Sequence, residues 1–236
     1  SEMCIRDSSS FSTLPSSDDI DKKPQESWVI GPFLRLEGVN PVLVPQPTSF
    51  HCPMRKEQVK WEESDVFNPA ATVKDGKIVV LYRAEDNSAQ GIGKRTSRIG
   101  YAESADGVTM KRLDSPVLFP GGDEFESIEC PGGCEDPRVA MTEDGLYVML
   151  YTAWNRKTPR LAVATSKDLK NWTKHGIAFE KAYDGRFARI ATKSASILTK
   201  VKGGKLVIDK VDGKYFMYWG EYAVHAATSD NLTDWY

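Results

Sequence analysis

Two acidic residues, Asp136 and Glu221, stand in settings that favour chemistry over a purely structural role. Asp136 lies in the segment Glu135-Asp136-Pro137-Arg138, shortly after two glycines that would let a ligand approach the backbone closely. Pro137 predicts an extended conformation for Asp136, which would fix the direction of its carboxyl group. A turn marked by Asp-Pro is the structural alternative.

Glu221 follows an aromatic strand and Gly220, and two similar segments of the chain carry Ala84 and Ala153 at its position. A charge in place of alanine departs from the structural pattern, and such departures are typical of functional sites. Cleavage of a glycosidic bond with inversion requires two carboxyl groups roughly 6.5–9.5 Å apart, with water between them. The alternative for Glu221 is a solvated loop glutamate.

Asn68, Arg83 and Glu135 are candidate ligands of a sugar, because amide, guanidinium and carboxylate groups complement hydroxyls that both donate and accept. Arg83 falls where the similar segments carry Thr152 and Gly220. This difference argues against a role of Arg83 that is confined to the fold.

Three basic residues are further candidates for substrate binding. Arg98 could equally form a salt bridge with the acidic pair at 85–86. Arg138 is expected to pair with a carboxylate and to orient the loop that carries Asp136. Lys193 has a solvated lysine as its structural alternative.

An internal repeat predicts how these residues come together. The similar segments DGKIVVLYRA, DGLYVMLYTA and DGKYFMYWGE begin at Asp75, Asp144 and Asp212. Each opens with an Asp-Gly turn and continues with residues that favour strands. A second marker follows each of them (SADGVTM, SKDLKNW and SDNLTDW), in which Asp106 is expected to be a turn residue. A third marker, the Asn-Pro at 68 and the Asp-Pro at 136, precedes the first two turns.

Each unit is predicted to form four short antiparallel strands in about 65 residues, and such repeats in an all-β chain indicate the blades of a β-propeller. Residues 68 and 136 would then start equivalent innermost strands at one mouth of the central channel. Three units cannot close a ring, so the chain is expected to be a fragment with about three blades. SWVIGPFLRL and PVLVP are expected to supply strands to the closing blade.

Composition argues against several classes of function. The formal net charge is -2, the pI is about 6.0, and no Lys/Arg run would suit a nucleic acid. No apolar stretch approaches the roughly 18 residues of a membrane span. Four cysteines and three histidines form no metal-ligand pattern. We therefore expect no metal or other cofactor, and the low cysteine density favours a reducing, cytoplasmic location.

Residues 28–236 are expected to form a partial β-propeller catalytic domain. Residues 1–27 lack the apolar core of a signal peptide. The first ten residues look like a translation artefact, and residues 11–27, rich in Ser, Asp, Pro and Lys, are expected to be disordered.

Several blocks resemble glycoside hydrolase family 130: VFNPAATV, VLYRAED, TSRIGYAESADG, GGCEDPRV and MLYTAW, in this order, across roughly residues 28–236. The resemblance implies a five-bladed β-propeller that acts on β-mannosides. It implies Asp136 as the general acid, and Asn68 and Arg83 as ligands of the mannose before the cleaved bond. The family includes phosphorylases, which use inorganic phosphate to release mannose 1-phosphate, and hydrolases, which use water on β-1,2-linked mannosides.

KSASILTK and KYFMYWGEY resemble the hydrolase branch. In that branch Glu221 would form part of the catalytic base, and a second Glu, beyond residue 236, would share its role. The leading prediction is an inverting β-mannosidase whose partner is a mannose-containing oligosaccharide. The alternatives are a mannoside phosphorylase with inorganic phosphate near Lys193, a non-catalytic sugar-binding propeller, and another propeller glycosidase such as an arabinanase.

Overall fold

The computed structural model describes residues 34, 35, 37–203 and 205–236, and residues 39–236 form one compact unit. The expectations for residues 1–27, and for most of SWVIGPFLRL, lie outside the described residues. Sixteen strands and one short helix, α1 (Glu126–Glu129), form the regular structure of the described chain, so the prediction of an all-β protein is confirmed. None of the helical structure described is long and apolar enough to cross a membrane.

The strands form a hairpin followed by three consecutive antiparallel units. The hairpin consists of β1 (Gln46–Cys52) and β2 (Glu57–Glu62). Unit 1 consists of β3 (Asp65–Lys74), β4 (Lys77–Glu85), β5 (Ser97–Ser104) and β6 (Lys111–Arg112). Unit 2 consists of β7 (Gly133–Met141), β8 (Tyr147–Trp154), β9 (Pro159–Ser166) and β10 (Thr173–Ile177). Unit 3 consists of β11 (Ser196–Ile197), an inserted hairpin of β12 (Thr199–Lys202) and β13 (Lys205–Ile208), and then β14 (Lys210–Val211), β15 (Lys214–Trp219) and β16 (His225–Ser229).

In units 1 and 2 each strand pairs with the next one along the chain, as the repeat predicts. The second and third strands of each unit are the most deeply buried. The sequences of these strands are rich in Val, Leu, Ile, Tyr and Ala because both faces of the sheet are covered. The first strand of each unit is more exposed, and its beginning carries the polar residues of interest.

A single parallel pair, between Ser97 and Gly133, joins units 1 and 2. The backbone N of Ser97 also donates to the carbonyl oxygen of Gly132 at 2.8 Å. Gly133 has a φ of +107°, and a Cβ atom there would lie 2.0 Å from the carbonyl oxygen of Ser97. The junction therefore requires glycine, and it sets the residues that follow Gly133 against unit 1.

The first strand of unit 3 is divided by an insertion. β11 and β14 both pair with β15, while β12 and β13 pair only with each other between them. The insertion lengthens the spacing between the start of the first strand and the Asp-Gly turn of unit 3, and no proline follows the equivalent position there.

A serine at the end of the third strand fixes the turn that follows it in every unit. The hydroxyl groups of Ser104, Ser166 and Ser229 each accept a hydrogen bond from the backbone amide three residues later, at 2.8–2.9 Å. Asp106 accepts two further backbone amides at 2.9 and 2.7 Å. Its predicted role as a turn residue is confirmed.

The expectation of strands in PVLVP is wrong, since none of the described residues before Gln46 forms a strand. Pro41 and Pro45 lack the N–H group that a strand ladder needs. The following hairpin contributes Trp61, which is fully buried and stacks on Tyr82 of unit 1 with ring centroids 6.2 Å apart. Aromatic packing therefore attaches this hairpin to unit 1.

Candidate active site

Asn68 and Asp136 take the same uncommon backbone conformation at the same place in successive units. Their φ angles are +44° and +49°, in the left-handed region that few residues other than glycine adopt. Each lies at a bulge, where the register of β3 against β4, or of β7 against β8, shifts by one residue. A bulge redirects side chains, and here Asn68 Nδ2 donates to Asp136 Oδ1 at 2.9 Å.

The extended conformation predicted for Asp136 is therefore wrong. Pro69 and Pro137 follow left-handed residues in both units. A proline disfavours mainly the right-handed helical region for the residue before it, and the bulge supplies a positive φ instead. The carboxyl direction is thus set by the bulge.

The guanidinium group of Arg83 is buried at the centre of the cluster. Its Nη1 donates to Asp136 Oδ1 at 3.0 Å, and its Nη2 donates to Glu85 Oε1 at 2.5 Å and to Glu135 Oε1 at 2.8 Å. Its Nε donates to Ser97 Oγ at 3.1 Å. Charge-assisted bonds of this kind are the strong ones in proteins, so Arg83 is held in one orientation and in turn holds Asp136.

The neighbouring carboxyl groups of Glu135 and Asp136 have pKa values that are pushed apart. Burial raises the pKa of Glu135 to about 7, against the opposing charge of Arg83. Burial acts on Asp136 in the same direction, but hydrogen bonds from Asn68 and Arg83 and the charges of Arg83 and Lys193 outweigh it and hold the pKa of Asp136 below its usual value. Glu135 therefore holds a proton in part of the population at neutral pH, whereas Asp136 is ionised in the free site.

Lys193 and Glu221 face each other in unit 3. Lys193 Nζ lies 3.4 Å from Glu221 Oε1, and the Glu221 side chain is 50% exposed. The backbone N of Gly220 donates to the carbonyl oxygen of Lys193 at 3.1 Å. A cavity of about 570 Å³ adjoins the pair, with aromatic side chains in its lining: Phe179, Tyr183, Phe187, Trp219, Tyr222 and His225. An exposed carboxylate beside a cation and aromatic rings suits the approach of a sugar and of water.

Arg98 does not belong to this cluster, and its predicted role as a sugar ligand is wrong. Its side chain is 0% exposed, and Nη1 donates to Asp86 Oδ2 at 2.9 Å. Its Cζ atom lies 5.2 Å from the centroid of the Phe50 ring. Side chains alternate along a strand, so Ser97 faces Arg83 and Arg98 faces the opposite side. The alternative salt bridge with the pair at 85–86 is the one that forms, through Asp86.

Arg138 is exposed and also lies outside the cluster around Arg83. Its Nη1 donates to the carbonyl oxygen of Pro137 at 3.0 Å. Within the described part of the chain it forms no ion pair, so the expected pairing with a carboxylate is wrong. The residue lines a second cavity, of about 760 Å³, along the first strands of the units.

Glu85 and Ser97 belong to the cluster but were not among the predicted residues. Glu85 is fully buried, and Ser97 Oγ lies 3.2 Å from a carboxyl oxygen of both Glu85 and Glu135. The signal for Glu85 was its position two residues after Arg83, on the same face of β4. Ser97 carries no such signal, because small polar residues are common in strands of every kind.

The arrangement can bind hydroxyl groups and move a proton. Amide, guanidinium and carboxyl groups meet at the beginnings of two first strands, and two of the carboxyl groups differ in pKa. These are the elements of general acid–base chemistry on a polyhydroxylated ligand. No group of three or more His, Cys, Asp and Glu in the described residues could hold a metal ion.

Comparison with known proteins places this chain in one family. The model of glycoside hydrolase family 130, described as beta-1,4-mannooligosaccharide phosphorylase, matches residues 42–236. A 1,2-beta-oligomannan phosphorylase of Thermoanaerobacter sp. (strain X514) is 34% identical over 188 residues, which are 78% of this chain and 55% of that protein.

Several solved structures are more similar in sequence. A Bacteroides ovatus ATCC 8483 protein, provisionally assigned as a glycoside hydrolase, is 77% identical with a TM-score of 0.85, over 89% of this chain and 60% of that one. A structure from work on glycoside hydrolases that target β-1,2 mannosidic linkages in Candida mannan is 60% identical with a TM-score of 0.88, over 90% of this chain and 60% of that one. The chain thus spans between 55% and 60% of the length of these three relatives. Because the family model covers most of its residues, the chain belongs to glycoside hydrolase family 130.

Proposed function

We propose that this protein is a glycoside hydrolase that cleaves β-mannosides with inversion, with β-1,2 linkages as its preferred class. The observation that carries the proposal is the convergence of Asn68 and Arg83 on one carboxyl oxygen of Asp136. It places a carboxyl group in fixed geometry beside donors suited to sugar hydroxyls. The similarity to the structure linked with β-1,2 mannosidic linkages supports the choice of substrate.

Asp136 is the proposed proton donor to the leaving oxygen. In the free site its pKa is low, partly because Asn68 donates to it. A sugar hydroxyl that takes over the hydrogen bond of Asn68 removes this stabilisation of the carboxylate, and the pKa of Asp136 rises. Substrate binding therefore prepares the acid, and Arg83 keeps its direction.

Glu221 is the proposed contributor to the general base that activates water. Its exposed carboxylate is accessible to solvent, and Lys193 holds it from one side at 3.4 Å. We propose further that units 1 to 3 are consecutive blades of a five-bladed β-propeller. In a propeller the beginnings of the first strands meet at one mouth, which would place Glu221 across the bound sugar from Asp136.

The test is hydrolysis of β-1,2-mannobiose by the intact protein, with and without inorganic phosphate. We expect mannose in both conditions, released first as the α-anomer, which proton NMR detects. Asp136→Asn should lower the rate by about 10²–10⁴-fold, because it removes a positioned general acid. Asp144→Asn, at an exposed turn, is the matched control and should change little.

A phosphorylase is the second candidate, because the 34% identical relative is a 1,2-beta-oligomannan phosphorylase and Lys193 offers a cation near Asp136. Release of mannose 1-phosphate with an absolute need for phosphate would establish it against the hydrolase. Mannoside binding without turnover in either the wild type or Asp136→Asn would instead indicate a binding module. Faster cleavage of arabinosides would contradict the substrate class.

A further inference from the structure

The bulge that carries Asn68 and Asp136 recurs in unit 3. In units 1 and 2, the sixth residue after the turn aspartate pairs with a residue of the first strand. Asn68 and Asp136 each lie two positions before that first-strand residue. In unit 3 that position is Ser196, which pairs with Tyr218, and Ser194 lies two positions before it. Ser194 has a φ of +57°, in the same region as its counterparts. It is therefore the third member of the series.

The backbone around Ser194 is held from two sides. Thr192 Oγ1 accepts a hydrogen bond from the backbone N of Leu161, on β9 of unit 2, at 3.0 Å. The carbonyl oxygen of Lys193 accepts one from Gly220, just after β15, at 3.1 Å. Ser194 thus has a defined place between units 2 and 3.

The residue before Ser194, Lys193, interacts with both the proposed acid and the proposed base. The charge of Lys193 is among those that lower the pKa of Asp136, and its ammonium group also pairs with Glu221. Ser194 follows directly in the chain. Its side chain is exposed, and none of the described residues hydrogen-bonds its hydroxyl group.

We propose that Ser194 binds a hydroxyl group of the mannosyl unit in this site and contributes to its specificity. A serine hydroxyl both donates and accepts, which matches a sugar hydroxyl. Glycine would adopt the left-handed conformation at lower cost, yet all three units have a polar side chain there. The identity of the sugar rests on the proposed function, whereas the position of Ser194 does not.

The test compares Ser194→Ala and Ser194→Gly in the intact protein. Loss of one neutral hydrogen bond predicts a KM for β-1,2-mannobiose about three- to tenfold higher in both variants, with a smaller change in kcat. Glycine relieves the left-handed strain that alanine keeps, so equal effects assign the loss to the hydroxyl group. A higher KM in the alanine variant alone assigns the effect to the backbone and overturns the proposal.

Ser196→Ala is the matched control, because Ser196 is exposed on the same segment, and its KM should stay at the wild-type value. Mannose affinity, measured by calorimetry, separates this proposal from the proposed function. A wild type that binds mannose without cleaving mannosides contradicts the function only, and weaker mannose binding in both Ser194 variants still supports the site. Unchanged KM and unchanged mannose affinity in both variants overturn the role of Ser194.

Discussion

Asn68 and Asp136 share one backbone geometry and are joined to each other by a hydrogen bond of 2.9 Å between Nδ2 and Oδ1. The bond runs from the first strand of unit 1 to the first strand of unit 2. The proposed proton donor is therefore oriented by a different unit from the one that carries it. Repetition of one bulge produces both partners, and the difference in their side chains gives each its own chemistry.

Asn68→Ala should lower kcat/KM for β-1,2-mannobiose by about three- to tenfold, because the bound sugar loses its hydrogen bond with the amide, and a neutral hydrogen bond contributes about 0.5–1.5 kcal/mol. Without Asn68 the pKa of Asp136 should also rise, since this hydrogen bond helps to lower it. The pH dependence of kcat/KM measures both effects. Asn87→Ala, on an exposed loop, should retain wild-type kinetics. Wild-type kinetics in Asn68→Ala would contradict the link between the two units.

Glu135 predicts how stability depends on pH. Its pKa is about 7 in the folded protein, against an ordinary value of 4.5. Between pH 4.5 and pH 7 the folded state therefore binds a proton that the unfolded state has lost. Stability from this group therefore falls as pH rises from about 4.5 to 7 and is constant above. The depressed pKa of Asp136 acts in a separate range, since its contribution is lost only as pH falls below its ordinary value of 3.8.

Glu135→Gln should remove this part of the pH dependence. Urea unfolding at pH 5 and pH 8 measures it, and the difference in the free energy of unfolding between the two pH values should be smaller in the variant than in the wild type. Glu124→Gln, at an exposed position, should keep the wild-type difference. If Glu135→Gln also keeps it, the carboxyl group does not titrate in this range.

Much of the site could be predicted from the sequence because units 1 and 2 repeat with little change. The Asp-Gly turns align the strands of one unit with those of the next. The spacing from these turns alone therefore shows that residues 68 and 136 are equivalent. Unit 3 conceals its counterpart, because the inserted hairpin places Ser194 eighteen residues before Asp212, where the other units have seven or eight.

The orientation of Arg98 could not be predicted in the same way. Its strand is buried on both faces, so the alternation of apolar and polar residues that normally identifies the inner face is missing. The register of β5 on β4, in which Ser97 lies opposite Glu85 and Arg98 opposite Ala84, determines which of the two neighbours faces Arg83, and the pairing of Ser97 with Gly133 joins this strand to unit 2. That pair joins residues 36 positions apart, and no local pattern announces it.

Gly133→Ala tests this junction. An added Cβ atom would lie 2.0 Å from the carbonyl oxygen of Ser97 at a φ of +107°, so the two units must separate locally. We expect the free energy of unfolding to fall by more than the about 1–2 kcal/mol that a left-handed alanine costs by itself, with loss of mannoside cleavage. Gly76→Ala is the control for that cost alone, since its φ is +74° and nothing lies within 4 Å. Equal effects in the two variants would show that the junction tolerates a side chain.

Arg98→Met separates stability from binding. The substitution leaves the buried Asp86 carboxylate without its ion-pair partner, which typically costs about 3–5 kcal/mol. Burial acts to raise the pKa of Asp86, but the charge of Arg98 and hydrogen bonds from Ser88 and Arg98 outweigh it and hold the pKa below its ordinary value. Without Arg98 the carboxyl group binds a proton more readily, so the loss of stability should shrink as pH falls. The KM of the folded variant for β-1,2-mannobiose should equal that of the wild type, because Arg98 is 0% exposed.

Arg138→Met, at an exposed position, should change stability by less than about 0.5 kcal/mol. A raised KM with unchanged stability in Arg98→Met would restore Arg98 to the substrate site.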